Sequence, residues 1–226
     1  MREDVDSLPL IFGGFLVKFK INKMNELELE KYNKLINLAN PFNTLIFDVD
    51  GTLANNIWAH KAAYVETALE YGIDLDDSLI DETAGWPTIA VAQEISQRYH
   101  VTLNPVEFSK RKSAIFIDRF IYQTQPITFV RQVLLDSIGD KRIGIVSGGS
   151  RSTLAITLEV IGLSDKYEAM VCAGETERGK PFPDPFSRCA ELLGVPAGEC
   201  LVFEDGDPGV QGAIAAGMAW VRIDQL

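Results

Sequence analysis

Apolar and polar positions follow one another along the chain in a pattern that predicts alternating strands and helices. Five short runs of strand length are almost continuously apolar: 43–49, 142–147, 168–173, 200–204 and 219–223. Near-continuous apolar character is typical of strands that are buried on both faces of a parallel sheet. Because helical patterns lie between the runs, we predict an α/β fold with right-handed βαβ crossovers and a five-stranded parallel sheet.

Start and stop signals predict the three helices between the last four strands. Serine, aspartate and proline favour the first turn of a helix, and glycine favours its end. The predicted segments are 153–161, capped by Ser150 or Ser152 and ended by Gly162; a helix from Pro185, capped by Asp184 and ended by Gly194; and a helix from Pro208, ended by Gly217.

A long stretch, about 56–138, separates the first two strands and exceeds what a simple crossover needs. Its pattern predicts five helices, at about 57–71, at 76–83, from Pro87, from Pro105 after an Asn104 cap, and at 126–138. The fifth can serve as the crossover, and the first four predict an inserted helical cap. We therefore divide the chain into a core (43–55 and 126–226) and a cap domain (56–125).

Residues 1–42 precede the first predicted strand as an extension. A helical pattern over 25–40 predicts a leading helix. The apolar segment 8–21 is too short for a membrane span and contains no small-residue cleavage site. We therefore expect neither a membrane helix nor a signal peptide.

Charge and cysteine content narrow the function classes. The 226 residues include 32 acidic and 21 basic side chains, for a formal net charge of −11. This balance argues against non-specific binding to nucleic acid or anionic membranes, which require basic surfaces. Cys172, Cys189 and Cys200 show no paired spacing, which fits a reducing compartment, so we expect a cytoplasmic protein without disulfides.

Two aspartates, Asp48 and Asp50, directly follow the first predicted strand. Neighbouring like charges repel and raise each other's pKa, so such a pair is tolerated mostly where a cation or a protonation cycle uses it. Gly51 lets the chain turn sharply after them. An ordinary acidic turn is the alternative, since Asp-Gly is a common turn pair.

Three further polar clusters follow later apolar runs, at 147–150 (SGGS), 179–181 (GKP) and 204–206 (EDG). Ligands of open parallel α/β sheets bind outside the carboxyl ends of the strands. We therefore expect the four segments to meet in one crevice. The glycine pair at 148–149 lacks the G-x-G-x-x-G spacing of a dinucleotide-binding turn, which argues against that alternative.

The four segments together resemble the haloacid dehalogenase superfamily. DVDGT at 48–52, VSGGS at 146–150, GKPFPDPF at 179–186 and FEDGDPG at 203–209 stand in that family's order and spacing, within a likeness that covers about 43–226. The branch with a small helical cap, which includes β-phosphoglucomutase and fructose-1-phosphate phosphatase-like proteins, is the most similar. The resemblance implies a Rossmann-like core with a four-helix cap, and the second aspartate implies phosphoryl transfer rather than dehalogenation.

The resemblance also implies roles for the core residues. Asp48 would be the nucleophile that forms an aspartyl-phosphate, and Asp50 the general acid and base. Ser147 and the Gly148 amide would bind phosphate oxygens, since backbone N–H groups at a helix start favour anions. Lys180 would balance the negative charge of the nucleophile and the phosphate.

A magnesium site follows from the same resemblance. Mg²⁺ prefers oxygen ligands, here the Asp48 carboxylate, the Asp50 carbonyl and Asp205, with Glu204 as a ligand or a neighbour of the ligands. Without a cation these carboxylates would repel a phosphate. Thr52 would support the phosphate or the loop.

Three cap residues are weaker candidates. His60 matches a position where relatives carry a histidine that aids proton transfer or leaving-group binding, although a locally satisfied helix histidine is the alternative. Lys112, in the basic run 110–112, would hold a second phosphate or belong to an exposed basic face. Trp86 stands where the mutase has an arginine for that phosphate, so it would stack on a sugar or pack the hinge.

We therefore predict a Mg²⁺-dependent phosphatase of a small phosphorylated metabolite, such as a sugar phosphate, acting as a monomer or weak homodimer. A β-phosphoglucomutase-type mutase and an inorganic pyrophosphatase are the enzymatic alternatives. A receiver-like phosphoacceptor is the non-enzymatic one. Receivers also place acidic residues, a hydroxyl and a lysine around Mg²⁺, but they have no helical insert after the first strand.

Overall fold

The computed structural model describes residues 9–12, 15–18 and 24–226. The strands in these ranges are β1 (Pro9–Phe12), β2 (Phe15–Lys18), β3 (Thr44–Phe47), β4 (Ala54–Asn55), β5 (Gln125–Pro126), β6 (Arg142–Val146), β7 (Ala169–Val171), β8 (Cys200–Glu204) and β9 (Ala219–Arg222). The α-helices are α1 (Glu26–Ala39), α2 (Ile57–Glu70), α3 (Ser78–Glu82), α4 (Thr88–Arg98), α5 (Pro105–Ile115), α6 (Thr128–Ser137), α7 (Arg151–Val160), α8 (Asp184–Leu193) and α9 (Asp207–Ala215).

Five of the described strands form one parallel sheet in the order β7-β6-β3-β8-β9. The predicted α/β fold with a five-stranded parallel sheet is therefore confirmed. The central strand β3 pairs with β6 on one side and with β8 on the other, and Thr44 lies opposite both Arg142 and Cys200. Residues that follow β3 consequently lie in the middle of the carboxyl edge of the sheet.

Side chains on the two faces of the sheet pack into separate hydrophobic clusters. One face packs under α1, α6 and α7 and includes Leu35, Phe47, Val130, Leu154 and Phe203. The other face packs under α8 and α9 and includes Ile46, Val146, Phe186, Val202 and Ala213. Burial on both faces explains why the strands read as continuous apolar runs.

The observed helices start within two residues of the predicted positions, and one predicted cap differs. The side chain of Ser150 caps α7, although the helix starts two residues earlier than predicted. Asp184 does not cap α8; it is the first helical residue, and its carboxylate accepts hydrogen bonds from Arg178 at 2.9 and 3.1 Å. Proline follows Asp184, and proline is suited to the first helical turn, so the helix begins one residue before the predicted Pro185.

The predicted leading helix is α1, which begins with a capping box between Asn25 and Glu28. It packs on α6, and the Tyr32 hydroxyl donates to Asp136 Oδ2 at 2.7 Å. The extension thus covers one outer helix of the core. Before it, β1 and β2 pair as an antiparallel hairpin; the rest of the apolar segment 8–21 lies outside the described residues.

Residues 56–125, all of which the structure describes, contain the helices α2 to α5. They enclose their own hydrophobic cluster, which includes Tyr64, Leu79, Val91, Ile95 and Phe108. The Asn104 side chain caps α5 as predicted. The short strands β4 and β5 pair antiparallel where the chain enters and leaves this insertion, a pairing that the sequence did not predict. The division into core and cap domains stays a proposal.

Cys172, Cys189 and Cys200 are buried and free. Across the part of the chain that the structure describes, none of the helices combines the length and the apolar character needed to span a bilayer.

Candidate active site

A cavity of about 340 Å³ opens between the carboxyl edge of the sheet and the insertion. Ten of the eleven predicted site residues line it: Asp48, Asp50, His60, Trp86, Lys112, Ser147, Gly148, Lys180, Glu204 and Asp205. The eleventh, Thr52, lies behind the wall, is fully buried and donates to Asp205 Oδ1 at 3.0 Å. The structure therefore brings together the segments that the sequence placed after different strands.

The turn after β3 places the two aspartates. Asp48 follows the last strand residue, and its backbone N–H donates to the Phe203 carbonyl of the neighbouring strand at 3.0 Å. Gly51 has φ +91°, a conformation that favours glycine, and a Cβ there would overlap the Asp205 carboxylate. Gly51 thus permits both the turn and the close approach of the second acidic loop.

Lys180 links the two acidic loops. Its ammonium donates to Asp48 Oδ1 at 2.6 Å, to the Val146 carbonyl at 3.0 Å, and to Glu204 Oε1. Lys180, Asp48 and Glu204 are only 7%, 6% and 2% exposed. The other oxygen of Glu204 accepts from the backbone N–H groups of Asp205 and Gly206 at 3.2 and 3.4 Å. Both Glu204 oxygens are therefore engaged within the protein.

Three carboxylates, those of Asp48, Glu204 and Asp205, form an acidic group around a single lysine. Burial raises the pKa of Asp48 well above its ordinary value; Lys180 opposes the rise, while Glu204 and Asp205 add to it. Burial and Glu204 raise the pKa of Asp205 to about 6. Asp48, Glu204 and Asp205 offer oxygen atoms that all lie within 4.8 Å of one another. One lysine beside three carboxylates fits a site that also takes a divalent cation.

The loop after β6 supplies the second polar edge of the cavity. The Ser147 hydroxyl accepts a hydrogen bond from the Gly149 N–H at 3.2 Å, and α7 begins just beyond. A Cβ at Gly148 would lie 3.1 Å from the Gly85 carbonyl of the insertion. The hydroxyl and the helix start suit an anion between them.

Asp50 faces the insertion rather than Lys180. Its Oδ1 accepts a hydrogen bond from the Asn56 amide at 2.6 Å and lies 3.2 Å from His60 Nε2. On the other side of the ring, Lys112 Nζ lies 2.6 Å from His60 Nδ1. Because an ammonium can only donate, Nδ1 accepts and the ring proton of a neutral His60 lies on Nε2, pointing at Asp50.

The surroundings of Asp50, His60 and Lys112 determine the charge states of these residues at neutral pH. Burial raises the pKa of Asp50, but His60, Asn56 and Lys112 together outweigh it and hold the pKa at about 2. Burial and the Lys112 charge lower the pKa of His60. Burial also lowers the pKa of Lys112 to about 8. Asp50 is therefore ionised, His60 neutral and Lys112 charged.

The neighbouring basic residues of α5 lie in different environments. Lys112 is 4% exposed and lies over the Tyr64 and Phe116 rings at 4.6 and 5.2 Å. Arg111 points outward and pairs with Glu70. The predicted alternative of an exposed basic face is therefore wrong for Lys112. Lys112 is the one residue of the basic run that lines the cavity, so a second phosphate would meet a single ammonium here rather than a cationic cluster.

Comparison with known proteins agrees with this geometry. Residues 45–223 match the family described as haloacid dehalogenase-like hydrolase. The chain belongs to the haloacid dehalogenase-like hydrolases. It is 34% identical to the fructose-1-phosphate phosphatase YqaB of Escherichia coli, over 80% of this chain and 96% of that protein. The resemblance read from the four motifs is therefore confirmed.

One further relative and one solved structure are also similar to this hydrolase. It is 28% identical to hexitol phosphatase A of Escherichia coli, over 79% of this chain and 82% of that protein. The crystal structure of CbbY from Rhodobacter sphaeroides in complex with phosphate has the same fold, with a TM-score of 0.71 at 18% identity over 79% and 84% of the two chains.

Several cavity residues of this haloacid dehalogenase-like hydrolase escaped the sequence analysis. Tyr64, Asp81 and Thr88 line the cavity from the insertion, and Asn56 contacts Asp50 from behind the wall. Only Asn56 carried a usable signal: it stands directly before α2, one turn ahead of His60. The others come from a helical layer whose packing no short motif encodes.

Proposed function

We propose that this hydrolase is a Mg²⁺-dependent phosphatase of a small phosphorylated metabolite, most simply a sugar phosphate, acting through an aspartyl-phosphate on Asp48. The observation that carries the proposal is one cavity holding two aspartates in different surroundings, Asp48 beside Lys180 and Asp50 beside His60. The names of two relatives, a fructose-1-phosphate phosphatase and a hexitol phosphatase, support the same substrate class.

Asp48 is the proposed nucleophile because Lys180 keeps it oriented and offsets its charge. A phosphoryl group in transfer carries spread negative charge, so positioning and electrostatics supply most of the catalysis. The Asp48 oxygen that faces the cavity would form the bond to phosphorus while the bond to the leaving oxygen breaks. The Ser147 hydroxyl and the Gly148 N–H would hold the equatorial oxygens.

Asp50 is the proposed general acid and base. It is ionised in the free protein, and the negative charge of an arriving phosphate favours its protonation. Protonated Asp50 would donate to the leaving alkoxide. The resulting carboxylate would then take a proton from the water that hydrolyses the aspartyl-phosphate.

The acidic group is the proposed Mg²⁺ site. The Asp48 carboxylate, the Asp50 carbonyl and Asp205 would hold the ion, and Glu204, whose oxygens are engaged, would hold Lys180 in place. When bound, the ion would neutralise charge on the phosphate. A site for a hard cation with oxygen ligands is what three converging carboxylates favour.

The cavity favours a monophosphate of modest size. Its volume of about 340 Å³ lies at the lower end of the range for small-molecule sites. On the insertion side it offers Trp86, Tyr64 and Thr88 beside the single cation Lys112. These groups suit a polyol or sugar better than a second phosphate, which disfavours the mutase alternative. We also propose that the protein works in the cytoplasm, as a monomer or weak homodimer.

Phosphate release across a panel of esters tests the proposal. We expect Mg²⁺-dependent release from hexose or pentose phosphates, loss with a chelator, and a fall in kcat of at least about 10³-fold for Asp48→Asn, which keeps the shape but removes the nucleophile. Turnover of pyrophosphate alone, or interconversion of hexose phosphates that needs a bisphosphate activator, would replace the phosphatase by one of the alternatives.

A further inference from the structure

Asn56 occupies the position before α2 at which an asparagine side chain ordinarily caps a helix. Here the side chain makes no capping hydrogen bond, so the first turn of α2 forgoes that stabilisation. Its amide instead donates to Asp50 Oδ1 at 2.6 Å and lies 3.4 Å from His60 Nε2. Helix formation therefore does not explain this residue.

The other end of the same side chain is unsatisfied. Asn56 is fully buried, and no group among the described residues donates to its Oδ1. A buried acceptor without a partner typically destabilises a fold. A side chain that gives up a cap and leaves an acceptor unpaired is one that stability alone does not favour, and such positions cluster at functional sites.

The geometry points to Asn56 as a positioning residue that aims the Asp50 carboxylate. This inference rests on the proposed function, because it assigns to Asp50 the task of protonating the leaving oxygen. The Asn56 amide and the His60 Nε2–H both point at Oδ1, which ties that oxygen to the insertion side. The second oxygen, Oδ2, is thereby left to face the substrate.

This role predicts a dependence on the leaving group. An alkoxide that leaves a sugar phosphate needs a proton from Asp50, whereas the p-nitrophenolate of p-nitrophenyl phosphate leaves without one. An Asp50 carboxyl group in the wrong orientation therefore slows cleavage of the sugar phosphate and barely affects cleavage of p-nitrophenyl phosphate. The readout is kcat/KM, which reports the steps up to formation of the aspartyl-phosphate and excludes its hydrolysis, a step that both esters share.

Asn56→Leu is the test variant, since leucine has a similar size and no donor. Asn55→Leu is its matched control, because Asn55 is the neighbouring residue and is exposed. We expect Asn56→Leu to lower kcat/KM by about 30-fold or more for the sugar phosphate that the wild type prefers, and by no more than about 3-fold for p-nitrophenyl phosphate. Asn55→Leu should leave both within about 2-fold.

Equal losses on both esters, or no loss on either, would overturn the inference while leaving the phosphatase in place. A wild type that releases phosphate from neither ester overturns the proposed function itself, and the inference with it. Should Asn56→Leu not fold by circular dichroism, Asn56→Ala is assayed in its place against the same two esters, with the same expected difference.

Discussion

The two walls of the cavity differ in the side chains that form them. The wall from the sheet edge is polar, and hydrogen bonds connect its side chains. Lys180 donates to both Asp48 and Glu204, and Thr52 donates to Asp205. The wall from the insertion mixes apolar, aromatic and polar side chains, and its Lys112 ammonium lies over the Tyr64 ring. We propose that the first wall carries the phosphoryl chemistry and that the second selects the substrate.

The largest expected effect comes from the sheet-edge wall. Lys180→Met should lower kcat about 10³-fold on every ester, since the charge that orients the nucleophile is lost. It should also lower the free energy of unfolding by about 3 kcal/mol at pH 7, because buried carboxylates remain without their partner.

The pH dependence of that stability loss is a second readout for Lys180→Met. Burial already raises the pKa of Asp48, and the loss of Lys180 removes the charge that opposes the rise, so the folded variant binds extra protons. Stability then falls as the pH rises through the folded-state pKa of Asp48 and recovers on acidification. Urea unfolding at pH 5 and pH 8 measures the difference, and an equal loss at both would contradict it.

An intermediate effect is expected on the insertion wall, at Lys112. Burial lowers its pKa to about 8, so the ammonium is present below that pH and is lost above it. If it helps to bind the anionic substrate, KM should be constant near pH 7 and rise about 10-fold by pH 9. Initial rates of Lys112→Met should show the raised KM already at pH 7 and no further rise; the exposed neighbour Lys110→Met is the control.

The smallest effect is expected at Trp86, which is 39% exposed. Trp86→Ala should raise KM for the preferred sugar phosphate about 5-fold, through loss of apolar contact, and leave turnover of p-nitrophenyl phosphate nearly unchanged. Steady-state kinetics on both esters, with Trp58→Ala as an exposed control outside the cavity, decide this. An equal fall in kcat on both esters would contradict the proposed difference in role between the two walls.

The sheet-edge wall was predictable from the sequence because most of its groups stand at strand ends. Asp48, Ser147 and Glu204 stand at strand ends, and parallel strands bring their carboxyl ends to one edge. Lys180 was placed by its motif. The geometry of the carboxylates, above all the engagement of both Glu204 oxygens, needed the structure.

The insertion wall was less predictable because its groups meet across helices. Neighbouring basic residues on α5 point to different environments, Lys112 inward and Arg111 to Glu70, and only the packing of α5 on α2 decides which. The two-residue strands β4 and β5 are too short to leave a pattern in the sequence. Asn56, which the sequence analysis did not single out, stands at the N-cap position of α2, and its amide donates instead to Asp50 in the turn after β3.

The pairing of β4 with β5 has a consequence for how such a protein can evolve. The chain leaves the sheet at Ala54 and returns at Pro126, directly opposite each other. A segment whose two ends adjoin can be lengthened, shortened or exchanged without moving the elements that carry it. On the proposed division into core and cap, the insertion can change its substrate contacts while Asp48, Lys180 and Glu204 stay in place at the sheet edge.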